Sequence, residues 1–410
     1  VAERRRAPVR RRRAKPRKAA RARRAFDAAT GPLSGITVVD LTRILSGPYC
    51  TLMLCNLGAR VIKVERPGTG DDARAIGPFT PAGSAYFASV NHGKESVALD
   101  LKRRADRSAF ERLVDEADVL VENFRPGTME KLRYGWRSAR RRWPRLVYVS
   151  VSGFGDSGPL RTRPAYDMVV QAMGGIMSIT GEPGGKPTRV GTSIGDIAAG
   201  MFAAAGTLAA LHQRERTGRG ARVDVAMLDA QVALLENAIA RYVTSAEVPG
   251  PIGSRHPSIT PFGAFETKRG QVVIAAGNDA LFRKLCDVLG RAGLASDPRF
   301  ATNAERCANE PALRAEIERA LAGEDAAAWL VRFEAAEVPC APVQNVAEVL
   351  AHPQTRARRM ALPIDAPEYA GMLVAGNPIK LSTMRERERA KRPPALGADA
   401  GSVLAPPKRG

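Results

Sequence analysis

Ile36-Thr-Val-Val-Asp-Leu41, Tyr49-Cys-Thr-Leu-Met-Leu-Cys-Asn-Leu57 and Arg60-Val-Ile-Lys-Val-Glu65 decide the fold of this chain. The first and third runs are short and rich in Val and Ile, the mark of buried strands. The middle run follows the turn Ser46-Gly-Pro48 and has the length and composition of a helix. Gly58 closes it, as a glycine free to turn left-handed closes many helices. Together they make a βαβ unit. The alternation goes on, with strand patterns over 96–101, 118–122 and 146–151 and a helix over 106–116. Such alternation predicts an α/β fold with a mostly parallel sheet covered on both faces. Ligands of these sheets bind outside the carboxyl ends of the strands. Four of those ends carry polar or glycine-rich sequence: Thr42-Arg43 to Gly47, Glu65-Arg66-Pro-Gly68, Asn123-Phe-Arg-Pro-Gly127 and Ser152-Gly-Phe-Gly155. No G-x-G-x-x-G follows the first strand and no Walker motif occurs, which sets aside the ordinary dinucleotide and nucleoside triphosphate sites.

Further along, the character changes. A helical pattern runs through 227–242, and Pro249-Gly-Pro-Ile-Gly-Ser-Arg-His256-Pro makes a connection. A strand over 271–275 and helices near 280–289, 311–322 and 325–334 predict a second, smaller domain. Pro339-Cys-Ala-Pro-Val343 and a helix over 347–351 read as the return to the first domain. The expected division is a disordered basic tail over 1–30, a large domain over 31–225, a small domain over 226–335, a return to the large domain over 336–397, and a tail over 398–410.

The chain carries a net charge of +21, yet residues 1–24 hold 13 Arg or Lys against one Glu, leaving +9 for the rest. That basic run has no apolar periodicity and is expected to be disordered. It has no interleaved aromatics, no apolar h-region and no signal-cleavage pattern. An inert tail, or a stretch translated upstream of the true start, is preferred over nucleic-acid recognition. The remaining positive charge suits a phosphorylated ligand. Cys50, Cys55, Cys286, Cys307 and Cys340 form no C-x-x-C pair, and an odd number argues against a disulfide framework. A reducing cytoplasm is the expected location. His92, His212, His256 and His352 show no metal-ligand spacing, so no metal is expected.

Gly191-Thr-Ser-Ile-Gly-Asp196 opens a long run of small and apolar residues from Ile197 to His212. Its ends are too polar, and it is too rich in Ala and Gly, for a membrane span. It reads as a buried helix packed closely on its neighbours. Asp196 is expected at the N-cap, where backbone N–H groups and the helix dipole favour the anion. Gly195 leaves room for a substrate to approach. A carboxylate held this way is a candidate nucleophile. From the local pattern alone a simple helix cap is the preferred reading, because aspartate caps are common.

Taken in order, seven stretches resemble a known family. They are Leu33-Ser-Gly-Ile-Thr-Val-Val-Asp-Leu41, Gly58-Ala-Arg-Val-Ile-Lys-Val-Glu-Arg66-Pro-Gly68, Val121-Glu-Asn-Phe-Arg-Pro-Gly127, Arg163-Pro-Ala-Tyr-Asp167, Gly195-Asp196, Thr217-Gly-Arg-Gly220 and Pro339-Cys-Ala-Pro-Val343. Together they resemble the class III CoA-transferases, the superfamily of formyl-CoA transferase and carnitine CoA-transferase. The resemblance implies a Rossmann-like large domain built from both chain ends, a smaller α/β domain, and a homodimer of interlocked rings. It implies no permanently bound cofactor and no membrane. Coenzyme A thioester is then a substrate, beside a carboxylic acid. Asp196 matches the catalytic aspartate, which would carry CoA as an aspartyl thioester. Arg43, Leu45 and Ser46 would face the thioester from the first-strand loop. Arg66 would meet the nucleotide end, with Leu99 and Lys102 near the adenine. Asn123 and Phe124 would line the pantetheine path, with Lys131 near phosphate; Arg163 and Tyr166 complete the CoA-binding set. His256 and Ser258 would sit near the acceptor acid.

Departures narrow this reading. The related acyl-CoA racemases place histidine where Tyr166 stands, and a phenol is a poor base at neutral pH. Leu45 stands where formyl-CoA transferase has glutamine, and its extended glycine-rich loop is not found; both set oxalate and formate behind other acids. Gly253-Ser-Arg-His-Pro-Ser-Ile-Thr-Pro261 looks more like transferases of dicarboxylic acids, such as succinyl-CoA:glutarate CoA-transferase. Leu396-Gly-Ala-Asp-Ala lacks the family's acidic-His pair, and no final helix is evident. The leading expectation is a CoA-transferase drawing on succinyl-CoA. An acyl-CoA racemase and a basic nucleic-acid-associated protein are the alternatives.

Overall fold

The computed structural model describes residues 30–405. The expected basic tail lies outside the described residues, Thr30 apart. Six parallel strands form the main sheet: β1 (Thr37–Asp40), β2 (Arg60–Glu65), β3 (Glu95–Ala98), β4 (Val119–Glu122), β5 (Val147–Ser152) and β6 (Arg222–Ala226). Their spatial order is β3-β2-β1-β4-β5-β6. The order reverses at β1, which pairs with β2 on one side and β4 on the other. This is the order of the doubly wound dinucleotide-binding sheets.

Side chains alternate along a strand, so a sheet buried on both faces needs apolar residues at every position. Val38 and Val39 are both fully buried and serve different cores. Val38 meets α1 (Ser46–Asn56) and α4 (Ile194–Thr217); Val39 meets α2 (Arg104–Glu116) through Phe110 and Val114. Each such valine contributes about 1.5–3 kcal/mol relative to exposure. α1 begins at Ser46, so the predicted turn Ser46-Gly-Pro48 is its first turn, where proline costs nothing.

α4 is long and apolar enough to cross a membrane by length and composition, but half of its most apolar window is buried inside the chain. It follows α3 (Asp167–Met173) and is followed, after β6, by α5 (Met227–Leu234) and α6 (Glu236–Ser245). Met227 and Ala230 join the core beneath α4, so α5 packs with the large sheet although a small domain was expected from residue 226.

The smaller sheet is antiparallel, β9-β8-β7, from β7 (Phe262–Glu266), β8 (Gln271–Ala275) and β9 (Cys340–Pro342). α7 (Asp279–Val288), α8 (Glu310–Leu321) and α9 (Ala326–Ala335) cover it with Leu285, Leu313 and Phe333. The stretch from Pro339 to Val343, expected in the returning segment, instead supplies this sheet's strand β9. Val338 and Cys340 pack on the small core, which holds the strand there. The chain then returns through the hairpin β10 (Ala361–Pro363) and β11 (Leu373–Ala375).

The tail expected over 398–410 is docked as far as it is described. Asp399 accepts the Ser96 N–H at 2.8 Å and donates its own N–H to the Ser96 carbonyl at 3.0 Å. α10 (Ala400–Val403), a final helix that was not evident in the sequence, brings Val403 and Leu404 to the core beneath α2.

Candidate active site

Because the sheet reverses at β1, the loops leaving β1 and β4 diverge and open a crevice. The loop after β1 is tied almost residue by residue. Thr42 donates N–H and hydroxyl to Asp40 Oδ1, and its carbonyl accepts from Lys63 Nζ at 2.7 Å. Asn123, just past β4, clasps Arg43 across the crevice, accepting its N–H and donating to its carbonyl, both at 2.8 Å. Ile44 stands in the left-handed region at φ 66.

α4 brings a carboxylate to this loop. Gly200 lies against Ser46: a Cβ there would sit 2.7 Å from the Ser46 carbonyl oxygen. Asp196 is one turn earlier on the same helical face, and it lines the same cleft as Ser46, whose hydroxyl and backbone act on its carboxylate to favour the anion. α1 has no side-chain cap of its own at Leu45, and the Asp196 carboxyl lies in the cleft beside Ser46 of its first turn. Asp196 was expected at the N-cap of α4. Ser193 holds that place, and Asp196 is in the first turn. The anion was expected to be favoured; instead the Asp196 pKa is raised to about 7. Burial is the main cause and the neighbouring Asp167 charge the second, and together they outweigh Ser46. Asp167 accepts the Gly195 N–H at 2.8 Å, and a Cβ on Gly195 would lie 2.8 Å from Val170 and 3.0 Å from Asp167 Oδ1. Only glycine fits that turn.

The cleft over Asp196, of about 160 Å³, is lined among others by Arg43, Ser46, Asn123, Phe124, Arg163 and Tyr166. These are residues that the resemblance assigns to CoA. A larger cavity, about 350 Å³, opens at the opposite, amino ends of β1 and β2 and holds none of them. The remaining assignments fall elsewhere. Leu45 is buried at the start of α1, and Leu99 is buried in the core beneath α2, because both are apolar side chains at element ends with no open face. Lys102 and Lys131 are exposed and outside the cleft. Arg66 reaches it indirectly, pairing with Asp72, which also binds Arg43 at 2.8 Å. His256 lies beside Phe262, its Nδ1 accepting the Ser258 N–H at 3.1 Å; neither lines the cleft.

Several groups went unread in the sequence. Asp71 and Asp72 brace the loop from within and without. Tyr86 has its phenol pushed up to about 12 by burial and by the charges of Asp196, Asp71 and Asp167. The one sequence sign of Asp71 was Lys63 in the middle of a buried strand, since a buried ammonium demands a carboxylate. Among the described residues, no group of three or more His, Cys, Asp or Glu stands ready to hold a metal ion.

The model of CoA-transferase family III matches residues 33–400. The chain belongs to this family. Acetyl-CoA:oxalate CoA-transferase of Acetobacter aceti is 48% identical over 353 residues, 86% of this chain and 90% of that protein. Succinyl-CoA:glutarate CoA-transferase of Mus musculus is 37% identical over 374 residues, 91% of this chain and 86% of that protein. A CaiB/BaiF family protein from Brucella suis has a TM-score of 0.80 at 38% identity, covering 92% of this chain and 100% of its own. The chain is therefore a CoA-transferase enzyme, with CoA thioesters as substrates. Arg43, Arg125 and Arg163 line the same cleft and bring positive charge to its walls.

Proposed function

We propose that this enzyme moves CoA from an acyl-CoA donor, succinyl-CoA above all, to a dicarboxylic acid through an aspartyl-CoA thioester on Asp196. The observation that carries the proposal is the Asp196 carboxylate, set at the switch-point crevice against the first turn of α1. The carboxylate attacks the donor carbonyl, forming a mixed anhydride and releasing CoA thiolate. The thiolate attacks the aspartyl carbonyl, giving the aspartyl thioester and free donor acid. The acceptor carboxylate then displaces the thiolate to make a second anhydride. The thiolate takes the new acyl group and Asp196 is restored. Every step exchanges one acyl bond for another, so no water or proton is consumed.

Each addition builds an oxyanion that needs fixed donors. The first-turn N–H groups of α1, at Ser46 and Gly47, are the proposed donors. A cleft of about 160 Å³ is smaller than the ~300–1,000 Å³ of sites that enclose a whole ligand. It suits the acyl end, with the nucleotide running outward past Asp72 and Arg66. The oxalate named for the 48% identical relative is itself a dicarboxylate, which returns oxalate to the candidates despite Leu45. Exposed apolar residues on α4, α5 and α6, among them Phe202, Val232, Ile239 and Tyr242, support the homodimer, interlocked as the resemblance implies.

Asp196→Asn is the test. The variant should fold and should lose transfer by several orders of magnitude. The wild type, given acyl-CoA alone, should yield an adduct at Asp196 that hydroxylamine traps. Near-normal turnover by the variant would overturn the mechanism. Rapid α-hydrogen exchange into a 2-methylacyl-CoA without any adduct would point to a racemase.

A further inference from the structure

Ile44 poses a problem of strain. A β-branched residue in the left-handed region costs on the order of 1–3 kcal/mol and persists only where its surroundings enforce it. Thr42, Arg43 and Ser46 on either side have the partners described above. The Ile44 N–H has one: Asp71 Oδ1, at 3.0 Å. Asp71 is itself fixed on every side. Oδ1 also accepts the Ala73 N–H at 2.9 Å, and its own N–H goes to Glu65 Oε2 at 3.0 Å. Oδ2 lies 2.8 Å from Lys63 Nζ, both side chains fully buried. That contact is an ion pair without the alignment of a good hydrogen bond, and Oδ2 accepts no hydrogen bond from any other group. The Lys63 ammonium turns at the same time to the Thr42 carbonyl. One buried pair thus grips the loop at Thr42 and Ile44, just before Ser46 in the cleft beside Asp196.

We infer that Asp71, backed by Lys63, is a positioning residue for the Asp196 chemistry: its carboxylate locks Ile44 left-handed, and that turn sets Ser46 in the cleft beside Asp196. The inference rests on Asp196 being the nucleophile. Its active part is the acceptor oxygen at Ile44. The charge pair keeps that acceptor in place.

The two contributions separate in paired substitutions that never strand a buried charge. Lys63→Met with Asp71→Asn removes both charges and keeps an acceptor for Ile44. It should hold kcat within about threefold. Lys63→Met with Asp71→Leu removes the acceptor. It should lower kcat about 100-fold, the scale of a small misplacement of reacting groups, with KM for acyl-CoA little changed. Adding Ile44→Gly should recover at least tenfold of that loss, because glycine takes positive φ without strain. A merely structural Asp71 would give the opposite result, since glycine loosens the chain further and cannot restore kcat.

Quenched-flow mass spectrometry of the Asp196 adduct reads the same steps directly. Absence of adduct in the wild type defeats the nucleophile reading. Adduct formed at the wild-type rate in the Asp71→Leu pair defeats the positioning role and leaves that reading intact. If the Leu pair does not fold, the Asn pair decides alone. A folded Asn pair with kcat down 100-fold would overturn the acceptor argument, and retained kcat supports it.

Discussion

Replacing Gly200 by alanine adds one methyl group at the contact between α4 and the Ser46 loop. The new Cβ would lie 2.7 Å from the Ser46 carbonyl oxygen and 3.2 Å from the Tyr49 side chain, where ordinary contact begins at 3.4 Å. The obstacle is backbone, so no side chain can swing aside. α4 must withdraw by about 0.7 Å, or the Ser46 loop must yield by the same amount. Overpacking of this kind costs about 1–3 kcal/mol, and alanine's better helix propensity returns about 1 kcal/mol of it. The net loss of stability is therefore small, about 0–2 kcal/mol. Activity should respond more. Asp196 is one turn away, and a shift approaching 1 Å at a reacting group costs up to about 100-fold. We expect kcat to fall about 10–100-fold with the melting temperature lowered by a few degrees at most. The assay is product formation at saturating acyl-CoA, beside thermal unfolding of the same samples. Gly277→Ala is the control, since its Cβ would meet nothing within 4 Å. A Gly200→Ala enzyme with kcat within twofold of wild type would refute the claim that this contact sets the geometry.

Asp196 should also govern the pH dependence. With its pKa raised to about 7, the carboxylate proposed as nucleophile forms only as pH rises through that value, so kcat/KM should show an acid limb near pH 7. Asp167→Asn keeps the acceptor for Gly195 and removes the like charge; it should move that limb to lower pH, and an unmoved limb would refute the assignment. The stability sign is opposite. A carboxyl whose folded pKa exceeds its ordinary 3.8 stabilises the fold fully below that pH, and the benefit is lost as pH climbs through about 7. Asp196→Asn should accordingly gain stability over wild type at pH 8 relative to pH 5, read by denaturant titration. Asp399→Ala should cost about 1 kcal/mol by orphaning the Ser96 N–H; an unchanged unfolding midpoint would show that water replaces the carboxylate at no cost.

The first βαβ unit was legible because Val38, Val39, Val61 and Ile62 are buried in runs that no loop would carry. β6 was not, because Arg222-Val-Asp-Val-Ala226 alternates charge with apolar residues and its outer position in the sheet tolerates that. The place of Asp196 in the cleft was legible from its glycine turn and its position in an ordered set of motifs. Its proton affinity was not, since that depends on Asp167, which lies 29 positions earlier in the chain and reaches it only through the fold. Leu45 and Leu99 were assigned by position in a motif, and the solvent exposure that separates a contact from a core residue is invisible in a motif. Gly70-Asp71-Asp72 reads as a solvated turn. Only three-dimensional packing sends one aspartate inward to Lys63 and the other outward to Arg43.

β3 is the outermost strand on its side of the main sheet. An outermost strand usually turns bare N–H and C=O groups toward solvent, where a foreign strand can add. Ser96 offers none: Asp399 takes its N–H and fills its carbonyl, and the Gly397 N–H fills its hydroxyl. The stretch that seals this margin is made more than 290 residues after the strand it protects. During synthesis the margin stays open until residues 397–404 have left the ribosome, so the nascent enzyme passes through a long interval in which its sheet can recruit another chain.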